Sequence, residues 1–228
     1  MKIAVIGAMR KEIEYLLPEL EDLREETKLK TTFYLGRCAG HDLVVVQSGI
    51  GKVASGILFS ALIHAYPDVA FAINTGVAGG VPGRVEIGEV VVAERLAYAD
   101  VDVRAGGDYA FGQLPNCPLF FPSRCDLVKE ADFPHKVGTI LSGDRFFSET
   151  EDISALLEVH FQDEKVLALD MESAAFAQSA WFFGVPFLSV RAVSDIIGRH
   201  GQFEEYLANL EAAARNSNKF LLAALANL

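Results

Sequence analysis

The chain has 228 residues, of which 51% are hydrophobic and 22% are charged, which suits one domain with a substantial core. Its formal net charge of -11 argues against a nucleic-acid-binding protein, and no apolar stretch approaches the roughly 20 residues of a membrane span. The first apolar run does not predict a signal peptide, and three cysteines without metal-site spacing (Cys38, Cys117 and Cys125) indicate reduced thiols, so we expect a soluble cytoplasmic protein.

The first half of the sequence alternates short apolar runs with turns that contain glycine. Strands are predicted over residues 2–6, 31–35, 42–47, 69–74 and 88–96, and helices over residues 9–17 and 51–65. The strands at 31–35 and 42–47 are joined through residues 38–41 and predict a β-hairpin. Part of the sheet is therefore expected to be antiparallel.

The second half continues the alternation after an irregular segment. Strands are predicted over residues 137–141, 166–169 and 186–193, and helices over residues 153–160, 171–183 and 203–225. Together the elements predict a single α/β domain over residues 1–228, with a mixed, largely parallel central β-sheet covered by helices. Residues 97–132, rich in glycine and proline, form a long predicted loop that is functional or lies at an interface.

Acidic and aromatic side chains follow several of these strands. Glu12, Glu172 and Asp195 are the acids, and Phe146 and Phe147 are the aromatics. Ligands of α/β sheets collect at the carboxyl ends of the strands, so these residues are expected to converge. Together they favour a site that binds a flat ring and performs acid–base chemistry.

Each of these residues alone is more often structural. Glu12 suits a solvated helix surface, Asp195 suits a helix cap, and the two phenylalanines suit a core. The glycine-rich stretches 49–51 and 76–80 suit tight turns before helices. Neither stretch matches a dinucleotide fingerprint or a phosphate-binding loop, so no cofactor is expected, and no metal.

The motifs that follow the strands resemble those of the 5′-methylthioadenosine/S-adenosylhomocysteine nucleosidase family, in the purine nucleoside phosphorylase-like superfamily. The matching positions are residues 6–9 with Glu12, 48–52, 74–76 with 78–80, 142–144, 171–172, and 191–192 with 194–195. The resemblance implies a nucleoside phosphorylase-like fold. It also implies hydrolysis of the N-glycosidic bond of methylthioadenosine and adenosylhomocysteine, which releases adenine and the 5-thio-substituted ribose.

The resemblance implies a role for each of four catalytic residues. Asp195 matches the general acid that protonates N7 of adenine, and Glu12 matches the base that activates the attacking water. Glu172 matches the glutamate that binds ribose hydroxyls and faces the cationic transition state. Arg191 matches an arginine near the water and the glutamates. As a general acid, Asp195 is expected to have a raised pKa.

A second set of residues is expected to bind the nucleoside substrate. These residues are Met9, Ile50, Val77, Phe146, Phe147, Met171, Ser194, Phe203 and Pro115. Phe146 matches the ring that stacks on adenine, and the Phe147 backbone matches the partner of the purine edge. Met171 matches a residue that packs beside the sugar, and Met9, Ile50 and Phe203 match the apolar lining of the alkylthio pocket. Pro115 matches a residue that enters a neighbour's site, which implies a homodimer with composite active sites.

The sequence also departs from the family pattern and leaves other functions open. Arg10 and Lys11 replace an acidic pair, Val77 replaces a common serine, and the stretch from Asp195 to Phe203 is short. A phosphate-dependent purine nucleoside phosphorylase needs a cationic phosphate site, from which Glu12 would repel phosphate. An aminodeoxyfutalosine nucleosidase would have nearly the same site. A non-catalytic nucleoside-binding protein would be expected to lack these acids.

Overall fold

The computed structural model describes residues 1–228 and contains ten strands and five α-helices. The strands are β1 (Lys2–Gly7), β2 (Glu21–Lys28), β3 (Thr31–Cys38), β4 (His41–Gln47), β5 (Phe71–Gly80), β6 (Val90–Tyr98), β7 (Phe121–Pro122), β8 (His135–Ser142), β9 (Val166–Asp170) and β10 (Phe187–Ile196). The helices are α1 (Arg10–Ile13), α2 (Lys52–Ala65), α3 (Thr150–His160), α4 (Ser173–Phe183) and α5 (Gln202–Leu225). None of these helices combines the length and apolar character needed to cross a bilayer.

All ten strands belong to one mixed sheet, part of which closes on itself. Strands β4, β1, β5 and β10 pair in parallel in that order, as do β6, β8 and β9. Antiparallel pairings of β10 with β6 and of β5 with β9 join the two groups into a closed ring of five strands. The antiparallel strands β3 and β2 extend the sheet beyond β4. The predicted mixed α/β fold and the β3–β4 hairpin are confirmed.

Strands β5 and β10 form the centre of the molecule and are covered on both faces. Every residue of β10 is buried, and so is every residue of β5 except Gly79. One face packs on α5, and small residues such as Ala174 and Ala177 of α4 pack on the opposite side of the core. Burying a polar group there costs free energy unless it has a partner, so the polar side chains within these two strands require hydrogen-bond or ionic partners.

Several predicted elements have different bounds in the structure. The predicted helix over 9–17 is a single turn, α1, followed by a short 3-10 helix at Leu17–Glu19 that contains Pro18. The strand β2 was not predicted, because its sequence is charged and it forms an exposed edge of the sheet. Edge strands carry such charges since they oppose pairing with other chains.

The glycine-rich stretch 76–80 is the carboxyl-terminal half of β5 rather than a turn before a helix, so the turn interpretation is wrong. A Cβ atom at Gly76 would collide with the side chains of Arg191 and Glu12, so glycine is required there by close approach. Asp195 lies within β10 and Gly201 precedes α5, so the helix-cap interpretation of Asp195 is also wrong. Strands β5 and β10 end later in the chain than predicted, at Gly80 and Ile196. They therefore carry polar residues to the carboxyl edge of the sheet.

Candidate active site

A cavity of about 220 Å³ opens where β1, β5, β9 and β10 end. Most of the residues predicted to form the site line this cavity, namely Met9, Glu12, Ile50, Val77, Phe146, Phe147, Met171, Glu172, Ser194, Asp195 and Phe203. Arg191 lies behind the lining, fully buried, in contact with two of these acids. Only Pro115 lies elsewhere, in a groove beside Trp181 and Phe182.

One wall of the cavity is a cluster of three carboxyl groups around a single guanidinium group. Arg191 Nη2 lies 2.7 Å from Asp170 Oδ2 and 3.6 Å from Glu172 Oε2, and its Nη1 lies 3.6 Å from Glu12 Oε1. All four side chains are buried. Because one cation faces three acids, the fully ionised cluster would carry excess negative charge in a medium that solvates it poorly.

Burial therefore controls the protonation of this cluster. Burial raises the pKa of Glu12 above its usual value, against the opposing effect of Arg191 and of backbone N–H donors. Burial also raises the pKa of Glu172 to about 7, with Arg191 opposing and Asp170 adding to the rise. Glu172 is therefore a group that can exchange a proton near neutral pH.

Backbone amides hold Glu12 and Glu172 in place. Met9 N–H donates to Glu12 Oε2 at 2.9 Å, and Val77 N–H donates to Glu12 Oε1 at 3.0 Å. Gly51 N–H donates to Glu172 Oε1 at 2.9 Å, and Gly51 has a φ of 95°, which favours glycine. The loop at 49–51 thus precedes α2 and also supplies a donor to the cavity wall.

Asp195 forms a second wall of the cavity and has no cationic partner. Its Oδ1 accepts a hydrogen bond from Ser194 Oγ at 2.6 Å, and its Oδ2 accepts one from Gln202 Nε2 at 2.7 Å. The carboxyl group forms no ion pair with lysine or arginine. Burial raises its pKa, while the bonds from Ser194 and Gln202 oppose the rise. This environment favours a carboxylic acid that keeps its proton.

Aromatic rings cover the mouth of the cavity. Phe146 is 41% exposed and meets Phe203 edge to face at 6.0 Å and Tyr206 at 5.9 Å between ring centroids. Phe203 is also stacked with Tyr206, at 5.9 Å. Ile50 is more than half exposed on the same rim. Exposed rings at a cavity mouth offer flat apolar surface to a planar ligand.

The chain as a whole is similar to known proteins. The family model described as the phosphorylase superfamily matches residues 2–226. Curated relatives named 5′-methylthioadenosine/S-adenosylhomocysteine nucleosidase, from Tolumonas auensis and Lysinibacillus sphaericus, are 37% and 38% identical over the full length of both chains. The chain belongs to this nucleosidase family. Its fold and its cavity-lining residues can therefore be compared with those of a group of N-glycosyl hydrolases.

Solved structures agree with the family assignment. The nucleosidase of Streptococcus pneumoniae in complex with 8-aminoadenine is 39% identical, with a TM-score of 0.93 and complete coverage of both chains. The futalosine hydrolase of Helicobacter pylori is 30% identical, with a TM-score of 0.89 over 100% of this chain and 98% of that one. The nucleoside phosphorylase-like fold predicted from the sequence is confirmed.

Four residues of the nucleosidase site were not singled out from the sequence. Asp170 binds Arg191, Asn74 Oδ1 accepts from Arg191 Nη2 at 2.5 Å, and Gln202 and Tyr206 line the cavity. Asp170 ends a buried apolar strand, and an acid in that position is a detectable signal. Gln202 and Tyr206 lie on a long amphipathic helix, where the sequence gives no reason to separate them from solvated neighbours.

Two further positions bear on the chemistry of the nucleosidase site. Arg10 is exposed and its guanidinium lies 4.8 Å from the centre of the Tyr34 ring, outside the cavity lining. Lys11 is exposed as well, so the basic pair before Glu12 faces solvent. No group of three or more His, Cys, Asp or Glu side chains is arranged to hold a metal ion.

Proposed function

We propose that the chain hydrolyses the N-glycosidic bond of 5′-methylthioadenosine and S-adenosylhomocysteine, releasing adenine and the 5-thio-substituted ribose. The observation that carries the proposal is that carboxyl groups in two different electrostatic environments line one cavity. Asp195 is buried without a cation, whereas Glu12 and Glu172 share Arg191. Solved relatives bound to adenine and to 8-aminoadenine support a purine in the homologous cavity.

Asp195 acts as the general acid. Adenine leaves poorly as an anion, so protonation at N7 weakens the bond between the base and the sugar. A buried carboxyl group with a raised pKa keeps its proton until the base arrives, and Ser194 orients it through its hydroxyl group. The proton then moves from the Asp195 carboxyl to N7 as the C–N bond breaks, so the product is neutral adenine.

Glu12 acts as the base for water. Its oxygens are fixed by the amides of Met9 and Val77, and the neighbouring Arg191 favours its ionised form. The carboxylate accepts a proton from water as the water oxygen bonds to the anomeric carbon. Glu172 binds the ribose hydroxyls, and its ionised form, which predominates above its pKa of about 7, stabilises the oxocarbenium character of the sugar. Both acids therefore act on the sugar side of the cavity.

The remaining lining residues bind the rest of the substrate. Phe146 stacks on adenine, the Phe147 backbone pairs with the purine edge, and Met171 packs beside the sugar. The 5′-thio substituent lies against Met9, Ile50 and Phe203, and Val77 supplies its backbone amide to the catalytic glutamate. Since Ile50 and Phe203 are more than half exposed, the substituent lies at the open end of the cavity.

Water rather than phosphate is the nucleophile in this proposal. A phosphate dianion on the sugar side would face the carboxyl groups of Glu12, Glu172 and Asp170, with only Arg191 as a cation. Two like charges about 4 Å apart repel by about 4 kcal/mol at an effective dielectric constant near 20. Arg10 packs on Tyr34 and does not line the cavity. The site therefore disfavours phosphorolysis.

We also propose that the chain forms a homodimer in the cytoplasm and serves methionine salvage. The groove that contains Pro115 is flanked by exposed apolar side chains, including Val53 at 72%, Phe182 at 76% and Trp181 at 44% exposure. Exposed apolar surface of this kind is typical of protein interfaces. Pro115 would then enter the active site of the partner. Light scattering at micromolar concentration should give the mass of two chains, and a single-chain mass would contradict the dimer.

A futalosine-type nucleosidase is the second candidate, because the Helicobacter pylori futalosine hydrolase shares the fold at 30% identity. Identity to methylthioadenosine/adenosylhomocysteine nucleosidases reaches 39%, which favours the first candidate. A product assay with methylthioadenosine, adenosylhomocysteine and aminodeoxyfutalosine distinguishes the two. The first candidate predicts the highest kcat/KM for one of the two thio-nucleosides.

The experiment that tests hydrolysis uses heavy-oxygen water with and without phosphate. The sugar product should carry heavy oxygen at the anomeric carbon in both buffers, and the rate should not depend on phosphate. Glu12→Gln should lose this activity, because glutamine can orient water but cannot take its proton. Formation of the sugar 1-phosphate, or a rate that requires phosphate, would overturn the proposal.

A further inference from the structure

Both oxygens of the Asp195 carboxyl group already have a partner within the chain. Gln202, the first residue of α5, is buried, and its Nε2 donates to Asp195 Oδ2 at 2.7 Å and to the backbone oxygen of Phe147 at 2.8 Å. Its Oε1 accepts a hydrogen bond from Gly198 N–H at 2.8 Å. The Ser194 hydroxyl group donates a hydrogen bond to the other carboxyl oxygen, Asp195 Oδ1. A ligand amino group that bonds to both Asp195 Oδ2 and the Phe147 oxygen from the position of Nε2 must therefore replace the Gln202 amide.

The Asp195 carboxyl oxygen and the Phe147 backbone oxygen accept hydrogen bonds from the same nitrogen atom, and this arrangement restricts which chemical group can lie between them. Gln202 Nε2 belongs to a planar amide and has two N–H bonds, one for Asp195 Oδ2 and one for the Phe147 oxygen. The 6-amino group of adenine is also a planar NH2 group with two N–H bonds. A carbonyl at the same point would have no hydrogen to donate and would face two acceptors. The pair of acceptors is therefore selective for an NH2 group.

We propose that the Gln202 carboxamide is an internal occupant of the amine subsite. Its Nε2 holds the position of the amino group of a 6-aminopurine, and the base must displace it on binding. This inference rests on the proposed function, because it requires a 6-aminopurine in the cavity. Gln202 is thus a positioning residue that acts through Asp195, and it does not touch the reacting bond.

The Gln202 amide stabilises the acceptors that surround it. A buried carboxyl oxygen and a buried carbonyl oxygen that lack donors each cost free energy, and the Gln202 amide satisfies both. Apart from the two bonds from Nε2, only the bond from Gly198 N–H to Oε1 holds the carboxamide. Gly198 and Gly201 have φ values of 76° and 75° and frame the turn before α5. These conformations favour glycine and give the turn its tight path.

Loss of Gln202 should change the proton affinity of Asp195 in the free enzyme. The Gln202 donor favours the ionised carboxylate and lowers the pKa of Asp195 against the effect of burial. Glu205 on α5 raises this pKa, the Ser194 hydroxyl lowers it, and Tyr206 also faces the group. When the base replaces Gln202, the carboxyl group exchanges one donor for another. The free enzyme should therefore respond to loss of Gln202, and the substrate complex should not.

Calorimetric binding of adenine and of unsubstituted purine tests the inference. Gln202→Ala should bind adenine about fivefold to tenfold tighter than the wild type, since no internal hydrogen bonds need to be broken. Purine lacks the amino group, and its affinity should change by less than about twofold. Gln202→Ser, which is too short to reach both acceptors, provides a second variant. Glu204→Gln, an exposed change in the same helical turn, serves as the control.

Kinetics provide a second readout. In Gln202→Ala, the basic limb of the kcat/KM profile, which reports Asp195 in the free enzyme, should move to higher pH. The corresponding limb of kcat should not move, because Gln202 is already displaced in the complex. Weaker adenine binding in both variants, or equal gains for adenine and purine, would overturn the inference. A wild-type chain that neither binds adenine nor cleaves methylthioadenosine would instead overturn the proposed function itself.

Discussion

The two walls of the cavity hold buried carboxyl groups in opposite electrostatic settings. On the side proposed to bind the sugar, Glu12, Glu172 and Asp170 surround Arg191, whose Nη2 lies 2.7 Å from Asp170 Oδ2. On the side proposed to bind the base, Asp195 has only the neutral donors Ser194 and Gln202, at 2.6 and 2.7 Å. All of these acids are buried, so burial alone does not distinguish them.

The difference lies in the partner of each acid. A guanidinium group favours the ionised carboxylate and lowers its pKa. Neutral hydrogen-bond donors counteract the rise in pKa that burial causes less effectively than a guanidinium group does. Glycosidic hydrolysis needs one acid that gives a proton and one carboxylate that takes a proton, and the two walls fit these two tasks. The following predictions test the comparison, from the largest expected effect to the smallest.

Asp195→Asn should cause the largest loss of activity. Asparagine preserves the shape of the side chain but has no acidic proton, and general acid catalysis contributes about 10² to 10⁴ in rate. We expect kcat to fall by about that factor while adenine still binds. Steady-state kinetics and calorimetry on the same preparation measure both quantities. A kcat near the wild-type value would remove Asp195 from the role of acid.

Arg191→Met should cause the largest loss of stability. Removal of the guanidinium leaves three buried carboxyl groups without a cation, and breaking such a buried cluster costs roughly 3–5 kcal/mol of unfolding free energy. Urea denaturation measures the change. Arg215→Met is the matched control, because Arg215 is half exposed and pairs with Glu211 on the surface. If both variants unfold at the same urea concentration, the cluster does not depend on Arg191.

Glu172→Gln should change how stability depends on pH. The pKa of Glu172 is raised from 4.5 to about 7 in the folded chain, so its neutral form is the one that the fold favours. The stabilising contribution is complete below pH 4.5 and is lost as the pH rises toward about 7. Glutamine does not titrate, so the variant should not lose this stability. Its unfolding midpoint should therefore rise relative to that of the wild type as the pH increases from 4.5 to about 7. A constant difference between the two midpoints would contradict the raised pKa.

Arg10→Ala should have the smallest effect. The side chain packs on Tyr34 outside the cavity lining, and surface changes of this kind rarely alter a site. We expect kcat/KM to change by less than about twofold, with or without phosphate. A loss of activity that depends on phosphate would show that Arg10 contributes to an anion site and would weaken the contrast between the walls.

The sequence predicted the main elements because their patterns are local. Glycine-bounded apolar runs located most strands, and acids at the ends of those runs indicated Glu12, Glu172 and Asp195. The ends of β5 and β10 were harder to predict, because Gly76 and Asp195 interrupt the apolar pattern for reasons set by distant side chains. The charged edge strand β2 was also hard to predict. It has no buried face, so its sequence lacks the alternation of apolar and polar residues that indicates a strand.

Partners across the fold could not be predicted in the same way. The bond from Gly51 N–H to Glu172 joins residues 121 positions apart, and the bond from Gln202 to Phe147 spans 55 positions. Such pairs depend on how the closed ring of strands brings loops together. The resemblance to a family supplied residue types at the site. The electrostatic contrast between Asp195 and Glu172 required the structure.

A carbon-13 NMR titration of the aspartate side chains tests the central contrast most directly. The Asp195 carboxyl resonance is identified by its absence in Asp195→Asn. Its titration midpoint in the free enzyme should lie clearly above the ordinary value of 3.8, since no cation opposes the effect of burial. A midpoint at or below 3.8 would mean that Asp195 is ionised whenever the enzyme works, and the base-side wall would then have no acid to give.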